Sequence, residues 1–127
     1  MIEGSGIDIV EIERIEKAHH KWGDRFLKKI FSEEEMNYSF EKRFPYQHLA
    51  ARFAAKEATL KAFGNGWGRL DSLSLIEVSN NRDGKPQIKL KGNLKKLCNG
   101  RSLSEVVLSM SHSKKFAVAS CILVKNA

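Results

Sequence analysis

The stretch from Pro45 to Gly64 reads PYQHLAARFAAKEATLKAFG, and its pattern predicts one long helix. Proline is favoured at the first position of a helix and glycine just past its end, and alanine, leucine and lysine are strong helix formers. At about 100° per residue, the large apolar side chains share one face and alanines cover most of the opposite face. A helix that is apolar nearly all round is normally buried, and its alanine face lets a neighbouring element approach closely. We therefore expect the rest of the chain to be organised around this helix.

The same helix carries four charged side chains, Arg52, Lys56, Glu57 and Lys61. Charged side chains are rarely buried without partners, because their desolvation is costly. One interpretation is a structural ion-pair ladder, since Arg52 and Lys56, and likewise Glu57 and Lys61, lie one helical turn apart. The other interpretation is a carboxylate and two or three cations that line a cleft beside the helix. The second interpretation gains weight only if an acidic residue elsewhere in the chain needs the same explanation, namely that it lines the cleft.

The composition is that of a globular protein, with 42% hydrophobic and 29% charged residues. At this length we expect a single domain over residues 1–127. No apolar run is long enough for a transmembrane helix, and no signal peptide is visible, so we expect a cytoplasmic protein with no membrane partner. Cys98 and Cys121 have neither a CxxC neighbour nor the spacing of metal ligands, which favours reduced thiols.

The formal net charge of +7 favours acidic partners, namely nucleic acid, phosphorylated small molecules or an acidic protein. Neither a zinc-finger spacing nor an aromatic RNA-binding signature accompanies this charge, so nucleic acid is not the expected partner. A basic binding module for nucleic acid or an acidic protein, without catalysis, remains the alternative to an enzyme. It leaves the acidic residues in apolar surroundings without an explanation.

The segment Gly4–Val10 predicts a short strand in which Asp8 shares one face with Gly6 and Val10. Aspartate is disfavoured in strands, and this one lies between two isoleucines, which indicates a partly buried carboxylate. One interpretation is that Asp8 pairs with a nearby cation or caps the helix that follows. The other is that Asp8 is the second acid required by the cleft hypothesis for Glu57.

Turn residues and periodicity predict the remaining elements. Ser32 and Glu35 form a capping box that begins a helix ending at about Lys42. The glycine-rich run 64–68 favours a flexible turn over a phosphate-binding loop, because the helix precedes the run and presents its negative C-terminal end. Further helices are predicted at Glu11–Trp22 and Gly92–Cys98, and strands at Leu73–Ser79, Gln87–Lys91, Glu105–Ser111 and Phe116–Val124.

These elements predict an α+β fold, in which an antiparallel sheet packs against the long buried helix and shorter helices. The strand Phe116–Val124 is apolar on both sides, so we expect it to lie centrally in the sheet. His112 ends the preceding strand beside two lysines, where it is either an exposed turn residue or a phosphate ligand.

Together these features indicate one kind of chemistry. Mg²⁺ is typically held by one or two protein carboxylates, with water and substrate phosphates as its other ligands. Asp8 and Glu57 are the candidate pair of carboxylates. The remaining phosphate charge would then be neutralised by Lys56, Lys61, Arg52 and His112. Such a site catalyses phosphoryl-type transfer by positioning and electrostatics.

Five motifs in order carry a family resemblance. They are Gly6–Ile15 (GIDIVEIERI), Phe31–Glu35 (FSEEE), Arg52–Ala58 (RFAAKEA) with Lys61–Gly64 (KAFG), Asp83–Pro86 (DGKP) and Ser109–Ser113 (SMSHS). In this order they resemble the motifs of the holo-[acyl-carrier-protein] synthases, the small bacterial type of 4′-phosphopantetheinyl transferase. The resemblance spans nearly the whole chain, and its most specific block is RFAAKEA.

The resemblance implies a Mg²⁺-dependent transferase of fatty acid biosynthesis. Coenzyme A would donate its 4′-phosphopantetheine arm to a serine of apo acyl carrier protein and release adenosine 3′,5′-bisphosphate. The fold would be that of the 4′-phosphopantetheinyl transferases, assembled as a homotrimer with active sites between subunits. A carrier domain of another kind, or another phosphorylated donor, remains open as the substrate.

The resemblance also assigns roles to residues of this chain. Asp8 and Glu57 would bind Mg²⁺. The general base is either Glu57 or a water that it orients. The catalytic residues would be Glu57, Lys61 and His112; the contacts to coenzyme A would come from Arg52, Lys61, Gly64, Lys85, Pro86 and His112; the acidic carrier protein would meet Arg14, Lys21 and Arg25.

Overall fold

Within residues 1–64 and 70–126, which the computed structural model describes, the chain forms five strands and five α-helices. In chain order they are β1 (Ile2–Glu11), α1 (Ile12–Trp22), α2 (Asp24–Ile30), α3 (Glu33–Phe40), α4 (Pro45–Phe63), β2 (Ile76–Asn80), β3 (Pro86–Leu90), α5 (Gly92–Gly100), β4 (Glu105–His112) and β5 (Phe116–Val124). A 3₁₀ helix over Leu70–Leu75 precedes β2. The flexible turn predicted for residues 64–68 lies, beyond Gly64, outside the described residues.

The main sheet has three antiparallel strands in the order β1–β5–β4, and β2 and β3 form a separate antiparallel hairpin. The predicted α+β class and the central position of the last strand are therefore confirmed. Helix α4 packs on one face of the three-stranded sheet and contacts all three of its strands. The long helix predicted from the sequence is thus the element against which the main sheet packs.

Two parts of the local structure differ from the sequence analysis. A strand is predicted from Leu73, but the chain is 3₁₀-helical up to Leu75, and β2 begins only at Ile76. The carbonyls of Leu73 and Ile76 both accept hydrogen bonds from the Lys56 ammonium, which holds this segment in a turn. Helix α2 is not predicted at all; it follows α1 after a single residue, Gly23, whose φ of 72° ends the first helix.

Strand β1 and helix α4 approach each other closely because two glycines of the strand face the helix. A Cβ on Gly6 would overlap the carbonyl oxygen of Ala58, and a Cβ on Gly4 would overlap that of Ala62. Both alanines are buried. The alanine face of α4, predicted to admit a close neighbour, therefore does so, and the neighbour is β1.

A buried ion pair joins three elements on the other side of α4. Lys56 Nζ lies 2.9 Å from Glu35 Oε1, and each side chain is only 1% exposed. Glu35 also completes the predicted capping box with Ser32, and its Oε2 accepts a hydrogen bond from the backbone N–H of Val78 at 2.8 Å. Burial lowers the pKa of Lys56, whereas the charge of Glu35 opposes this shift. One carboxylate thus ties α3, α4 and β2 together.

The face of the main sheet that points away from α4 is apolar and exposed. Ile7 and Ile9 of β1 are each 65% exposed, and the strand register places Phe116 and Val107 on the same face. Exposed apolar patches of this kind are typical of protein interfaces. None of the helices in the described part of the chain is long and apolar enough to cross a membrane.

Candidate active site

Asp8 and Glu57 are brought together by the close packing of β1 on α4. Asp8 lies on the strand face that Gly6 turns toward the helix, and Glu57 directly precedes Ala58, against which Gly6 packs. Both carboxylate residues are half-buried. The two acids that the sequence analysis selected therefore lie at the same gap between strand and helix.

Lys61 lies one turn beyond Glu57 on α4 and reaches across to β1. Its Nζ lies 2.9 Å from Asp8 Oδ1 and donates a hydrogen bond to the carbonyl of Ile7 at 3.1 Å. The Lys61 side chain is 53% exposed, so its ammonium is accessible to a ligand from solvent. The ion-pair ladder considered from the sequence does not form in the described structure, because Lys61 pairs with Asp8 and Lys56 pairs with Glu35.

The pKa of Glu57 is raised above the usual value for a glutamate. The main cause is burial, which disfavours the ionised form, and the second is the nearby charge of Asp8. The positive charges of Lys61 and Arg14 act in the opposite direction without cancelling the effect. Because burial and the charge of Asp8 both disfavour the ionised form of Glu57, a bound divalent cation would stabilise that form, so the electrostatics fit a cation site.

The donor set at this gap fits Mg²⁺ held partly by a substrate. Asp8 and Glu57 supply two carboxylates, and Mg²⁺ commonly completes its octahedron with water and substrate phosphates. Within residues 1–64 and 70–126, no group of three or more His, Cys, Asp or Glu side chains could hold a metal by itself. A cation bound between Asp8 and Glu57 would therefore take its other ligands from water and a phosphorylated substrate.

A second group of predicted site residues lies near the opposite end of α4. Arg52, Pro86 and His112 line a pocket of about 200 Å³, together with His48. The rings of His48 and His112 pack edge to face with their centroids 6.0 Å apart. Burial lowers the pKa of His48, and the charges of Arg52 and His112 lower it further. The pocket thus has a permanent positive charge from Arg52 and two imidazole rings beside it.

Arg52 also holds the turn of the β2–β3 hairpin in place. Its side chain is buried, its Nη2 donates to Asn80 Oδ1 at 2.7 Å, and its guanidinium carbon lies 4.2 Å from the centroid of the Tyr38 ring. Asn80 in turn donates from Nδ2 to the carbonyl of Gly84 at 2.9 Å. Within the described structure, Arg52 Nε has no hydrogen-bond partner. A buried donor in this position indicates a place for an acceptor that a ligand could supply.

Lys85 and Pro86 lie where this hairpin turns. Asn81 Oδ1 accepts hydrogen bonds from the backbone N–H groups of Asp83 and Lys85, each at 2.9 Å, which fixes the turn. The Lys85 side chain is exposed, and Pro86 begins β3 at the edge of the pocket. Gly64, the remaining predicted contact, caps the far end of α4 with a φ of 105°.

Within one chain the two groups of residues are separate. Asp8 lies on β1 and His112 on β4, and these are the outer strands of the main sheet with β5 between them. Along α4, the rise of 1.5 Å per residue separates Arg52 from Glu57 by about 7.5 Å and from Lys61 by about 14 Å. We call Asp8, Glu57 and Lys61 the acid half-site, and Arg52, Lys85, Pro86 and His112 the pocket half-site.

The residues predicted to meet an acidic carrier protein are all exposed. Arg14 lies on α1, Lys21 near its end and Arg25 on α2. The ammonium of Lys21 lies 4.9 Å from the ring centroid of Trp22. The charge of Arg14 acts on Glu57, so the surface of α1 borders the acid half-site.

One predicted phosphate contact is wrong. Lys56 is enclosed with Glu35 in the core and is not available to a ligand. His48, Tyr38 and Asn80 also line the pocket and are not predicted from the sequence. Helical spacing could have indicated His48, because it lies one turn before Arg52. No local pattern places Tyr38 or Asn80 beside Arg52, since both contacts are tertiary.

An enzyme that acts on a phosphorylated substrate is expected to have a carboxylate pair with an accessible lysine, and a separate pocket that contains an arginine. The model of the 4′-phosphopantetheinyl transferase superfamily matches residues 4–121. The chain therefore belongs to this superfamily.

Individual relatives agree with this family. A protein from Thermodesulfovibrio yellowstonii named holo-[acyl-carrier-protein] synthase is 46% identical over 123 residues, which cover 97% of this chain and 99% of the relative. The crystal structure of the Neisseria meningitidis holo-[acyl-carrier-protein] synthase matches with a TM-score of 0.88 at 35% identity, over 98% of this chain and 100% of that one. The Bacillus anthracis synthase, solved in complex with CoA (3′,5′-ADP), matches with a TM-score of 0.79 at 40% identity, over 99% of both chains.

Proposed function

We propose that this protein transfers the 4′-phosphopantetheine arm of coenzyme A to a serine hydroxyl of apo acyl carrier protein. The products are holo acyl carrier protein, which serves fatty acid biosynthesis, and adenosine 3′,5′-bisphosphate. Membership of the superfamily and the names of relatives at 44–50% identity support this activity. The observation that carries it is the meeting of Asp8, Glu57 and Lys61, because together they suit a metal-bound diphosphate.

The acid half-site accounts for the chemistry of this transfer. We propose that Asp8 and Glu57 hold Mg²⁺, which when bound would neutralise the diphosphate of coenzyme A and polarise the phosphorus that is attacked. The serine hydroxyl attacks the β-phosphorus, the bond from that phosphorus to the bridging oxygen breaks, and adenosine 3′,5′-bisphosphate leaves. Lys61, whose ammonium is accessible, would turn from Asp8 to the transferred phosphate. Glu57 takes the serine proton directly or orients the water that takes it.

A homotrimer would bring the two half-sites together. The separation of Asp8 from His112 in one chain, and the exposed apolar face around Ile7 and Ile9, support this proposal. In a cyclic assembly each subunit presents different surfaces to its two neighbours, so the acid half-site of one subunit can meet the pocket half-site of the next. Coenzyme A would then contact Arg52, Lys61, Gly64, Lys85, Pro86 and His112.

The carrier protein would dock on the basic surface of α1 and α2. The net charge of +7 and the exposure of Arg14, Lys21 and Arg25 suit an acidic partner. Because Arg14 borders the acid half-site, a carrier docked on α1 would have its serine near Glu57.

Mass spectrometry of purified apo acyl carrier protein, incubated with this protein, coenzyme A and magnesium, tests the proposal. We expect a mass increase of one phosphopantetheine on serine and no increase when a chelator is present. A carrier that stays unmodified with the active fold intact would refute the function. A mass increase that persists in chelator would refute the proposed dependence on Mg²⁺.

A basic binding module without catalysis is not favoured by the relatives at 44–50% identity, which are named as synthases. A salt titration of binding to DNA separates the two, because many phosphate contacts give a steep loss of affinity with salt. We expect the protein to bind DNA weakly and without sequence preference. At the same protein concentration, we expect it to modify the carrier protein.

A further inference from the structure

Three side chains form a hydrogen-bonded chain that joins three helices, and one of them, Tyr46, also lines a cavity with His112. The hydroxyl of Tyr46, at the start of α4, lies 2.7 Å from His19 Nδ1 on α1. The other ring nitrogen of His19, Nε2, lies 2.8 Å from Asp24 Oδ1 at the start of α2. In the neutral imidazole, Nε2 donates to Asp24 and Nδ1 accepts from the Tyr46 hydroxyl. We call Tyr46, His19 and Asp24 the helix bridge.

The helix bridge spans the junction between α1 and α2. Helices α1 and α2 are separated by Gly23 alone, at a φ of 72°, and a Cβ placed on Gly23 would meet nothing within 4 Å. No side chain packs at the junction itself, so the orientation of α2 depends on its buried residues Leu27 and Ile30 and on the helix bridge. His19 and Asp24 lie on either side of the junction and are joined directly, and Tyr46 connects them to α4.

Residues predicted to meet the carrier protein flank this junction. Lys21 lies two residues after His19, and Arg25 directly follows Asp24. Tyr46 is the second residue of α4. Glu57 and Lys61 of the acid half-site lie further along the same helix. A change in the angle between α1 and α2 would move these cations relative to the acid half-site.

The helix bridge contributes little to stability, which argues for a positioning role. The side chain of Asp24 is 72% exposed, and exposed ion pairs add little to the free energy of unfolding. The ring of Tyr46 packs on His19 and Phe40 independently of its hydroxyl. Removing the hydroxyl alone should therefore leave the fold intact.

We propose that Tyr46, acting through His19 and Asp24, is a positioning residue that holds Lys21 and Arg25 in the orientation needed to dock the acidic carrier protein. This inference rests on the proposed function, since it assigns the docking partner of that site. It concerns the carrier, because the cations that would dock it lie on α1 and α2, on either side of the junction that the helix bridge spans.

The substitution Tyr46→Phe tests this role, with His20→Gln as the matched control. His20 neighbours His19 on α1, and its Nε2 lies 3.4 Å from the Tyr46 hydroxyl without connecting to Asp24. We expect Tyr46→Phe to raise the KM for apo acyl carrier protein about five- to tenfold, with kcat and the KM for coenzyme A nearly unchanged. The control should leave all three parameters within about twofold of the original protein.

A third variant distinguishes positioning from charge. Asp24→Ala removes a negative charge beside Arg25, so simple electrostatics predicts tighter binding of an acidic carrier. If Asp24 instead helps to position Lys21 and Arg25, its removal should weaken binding of the carrier. Affinity for apo acyl carrier protein, measured by fluorescence anisotropy without coenzyme A, gives this comparison independently of turnover.

The outcomes separate this inference from the proposed function. If the original protein does not modify the carrier, the proposed function fails. If it does, and Tyr46→Phe leaves the KM for the carrier unchanged while Asp24→Ala binds more tightly, the positioning role of the helix bridge is overturned. Equal rises in the KM for carrier and coenzyme A would also overturn it, because they would indicate a general structural defect.

Discussion

Lys56 and Glu35 face each other inside the protein, with 2.9 Å between the ammonium nitrogen and a carboxylate oxygen. Removing one partner of a buried pair leaves the other charge uncompensated, which typically costs about 3–5 kcal/mol. We expect Lys56→Met to lower the free energy of unfolding by about this amount. Urea denaturation at one fixed protein concentration measures the loss.

An exposed pair on α1 provides the control for Lys56→Met. Lys17 Nζ lies 3.0 Å from Glu13 Oε1, and both side chains are mostly exposed. Because exposed helical pairs contribute about 0.3–0.5 kcal/mol, Lys17→Met should change stability little. Equal losses for the two variants would show that burial gives the Lys56–Glu35 pair no special importance.

The substitution Glu57→Gln should nearly abolish turnover and yet stabilise the metal-free protein at neutral pH. The raised pKa of Glu57 means that the folded state holds the carboxyl proton more tightly than the unfolded chain, so ionisation of Glu57 opposes folding. The gain from Glu57→Gln should be largest above the raised pKa and should vanish as the pH falls below the ordinary glutamate value of about 4.3. Thermal unfolding in chelator as a function of pH measures it.

Glu105→Gln is the matched control for Glu57→Gln, because Glu105 is an exposed glutamate at the start of β4. It should change neither turnover nor the melting temperature appreciably. Full activity of Glu57→Gln would refute its catalytic assignment. An identical melting temperature to that of the original protein across the pH range would refute the unfavourable ionisation of Glu57 in the folded state.

The substitution Gly6→Ala should disrupt the packing of β1 on α4. The added Cβ would overlap the carbonyl oxygen of Ala58, and backbone atoms cannot move aside as a flexible side chain can. Overpacking of this kind typically costs about 1–3 kcal/mol or more. Because Gly6 sets the distance between Asp8 and α4, we also expect weaker magnesium binding by the surviving folded protein, measured by isothermal titration calorimetry.

Gly100→Ala provides the comparison for Gly6→Ala. Gly100 ends α5, and a Cβ there would meet nothing within 4 Å. Alanine at such a position should be neutral or stabilise the protein by up to about 1 kcal/mol. If Gly6→Ala were as stable as Gly100→Ala, the close approach of β1 to α4 would be incorrect.

Mixed assemblies test the proposed homotrimer, in which one active site would use residues of two subunits. Co-expression of Glu57→Gln with His112→Ala should restore about a quarter of the sites if subunits assemble at random, because some interfaces then combine an intact acid half-site with an intact pocket half-site. Carrier modification per purified trimer measures the recovery.

The control for the mixed trimers pairs Glu57→Gln with Asp8→Asn. Both substitutions lie in the acid half-site, which comes from one chain, so no interface regains an intact set. We expect no recovery of activity. Recovery in this control, or its absence in the first pair, would contradict sites shared between subunits.

The sequence predicts the parts of the site that depend on local periodicity. The spacing on α4 identifies Glu57 and Lys61, and the alternation in β1 places Asp8 on the face that meets the alanines. The juxtaposition of these residues follows because small residues on both elements allow close packing. The capping box of Ser32 and Glu35 is likewise a local pattern, and the structure confirms it.

The parts that the sequence does not predict depend on contacts between distant segments. Helical spacing suggests that Lys56 is near Arg52, but it cannot show that Glu35, on the preceding helix α3, is the partner. The 3₁₀ turn at Leu73 follows from the same buried ammonium, since its carbonyl oxygen is a hydrogen-bond acceptor for Lys56. Strand propensity alone therefore misassigns this segment.

Lys56 and Glu57 are adjacent on α4 and point in directions about 100° apart around the helix axis. The ion pair with Glu35 holds Lys56 in place, so it also determines how the whole helix is rotated about its axis. If α4 turned about its axis by one residue, Glu57 would no longer point toward Asp8. The direction in which Glu57 points is thus set from the protein interior, by a lysine that is buried in the core.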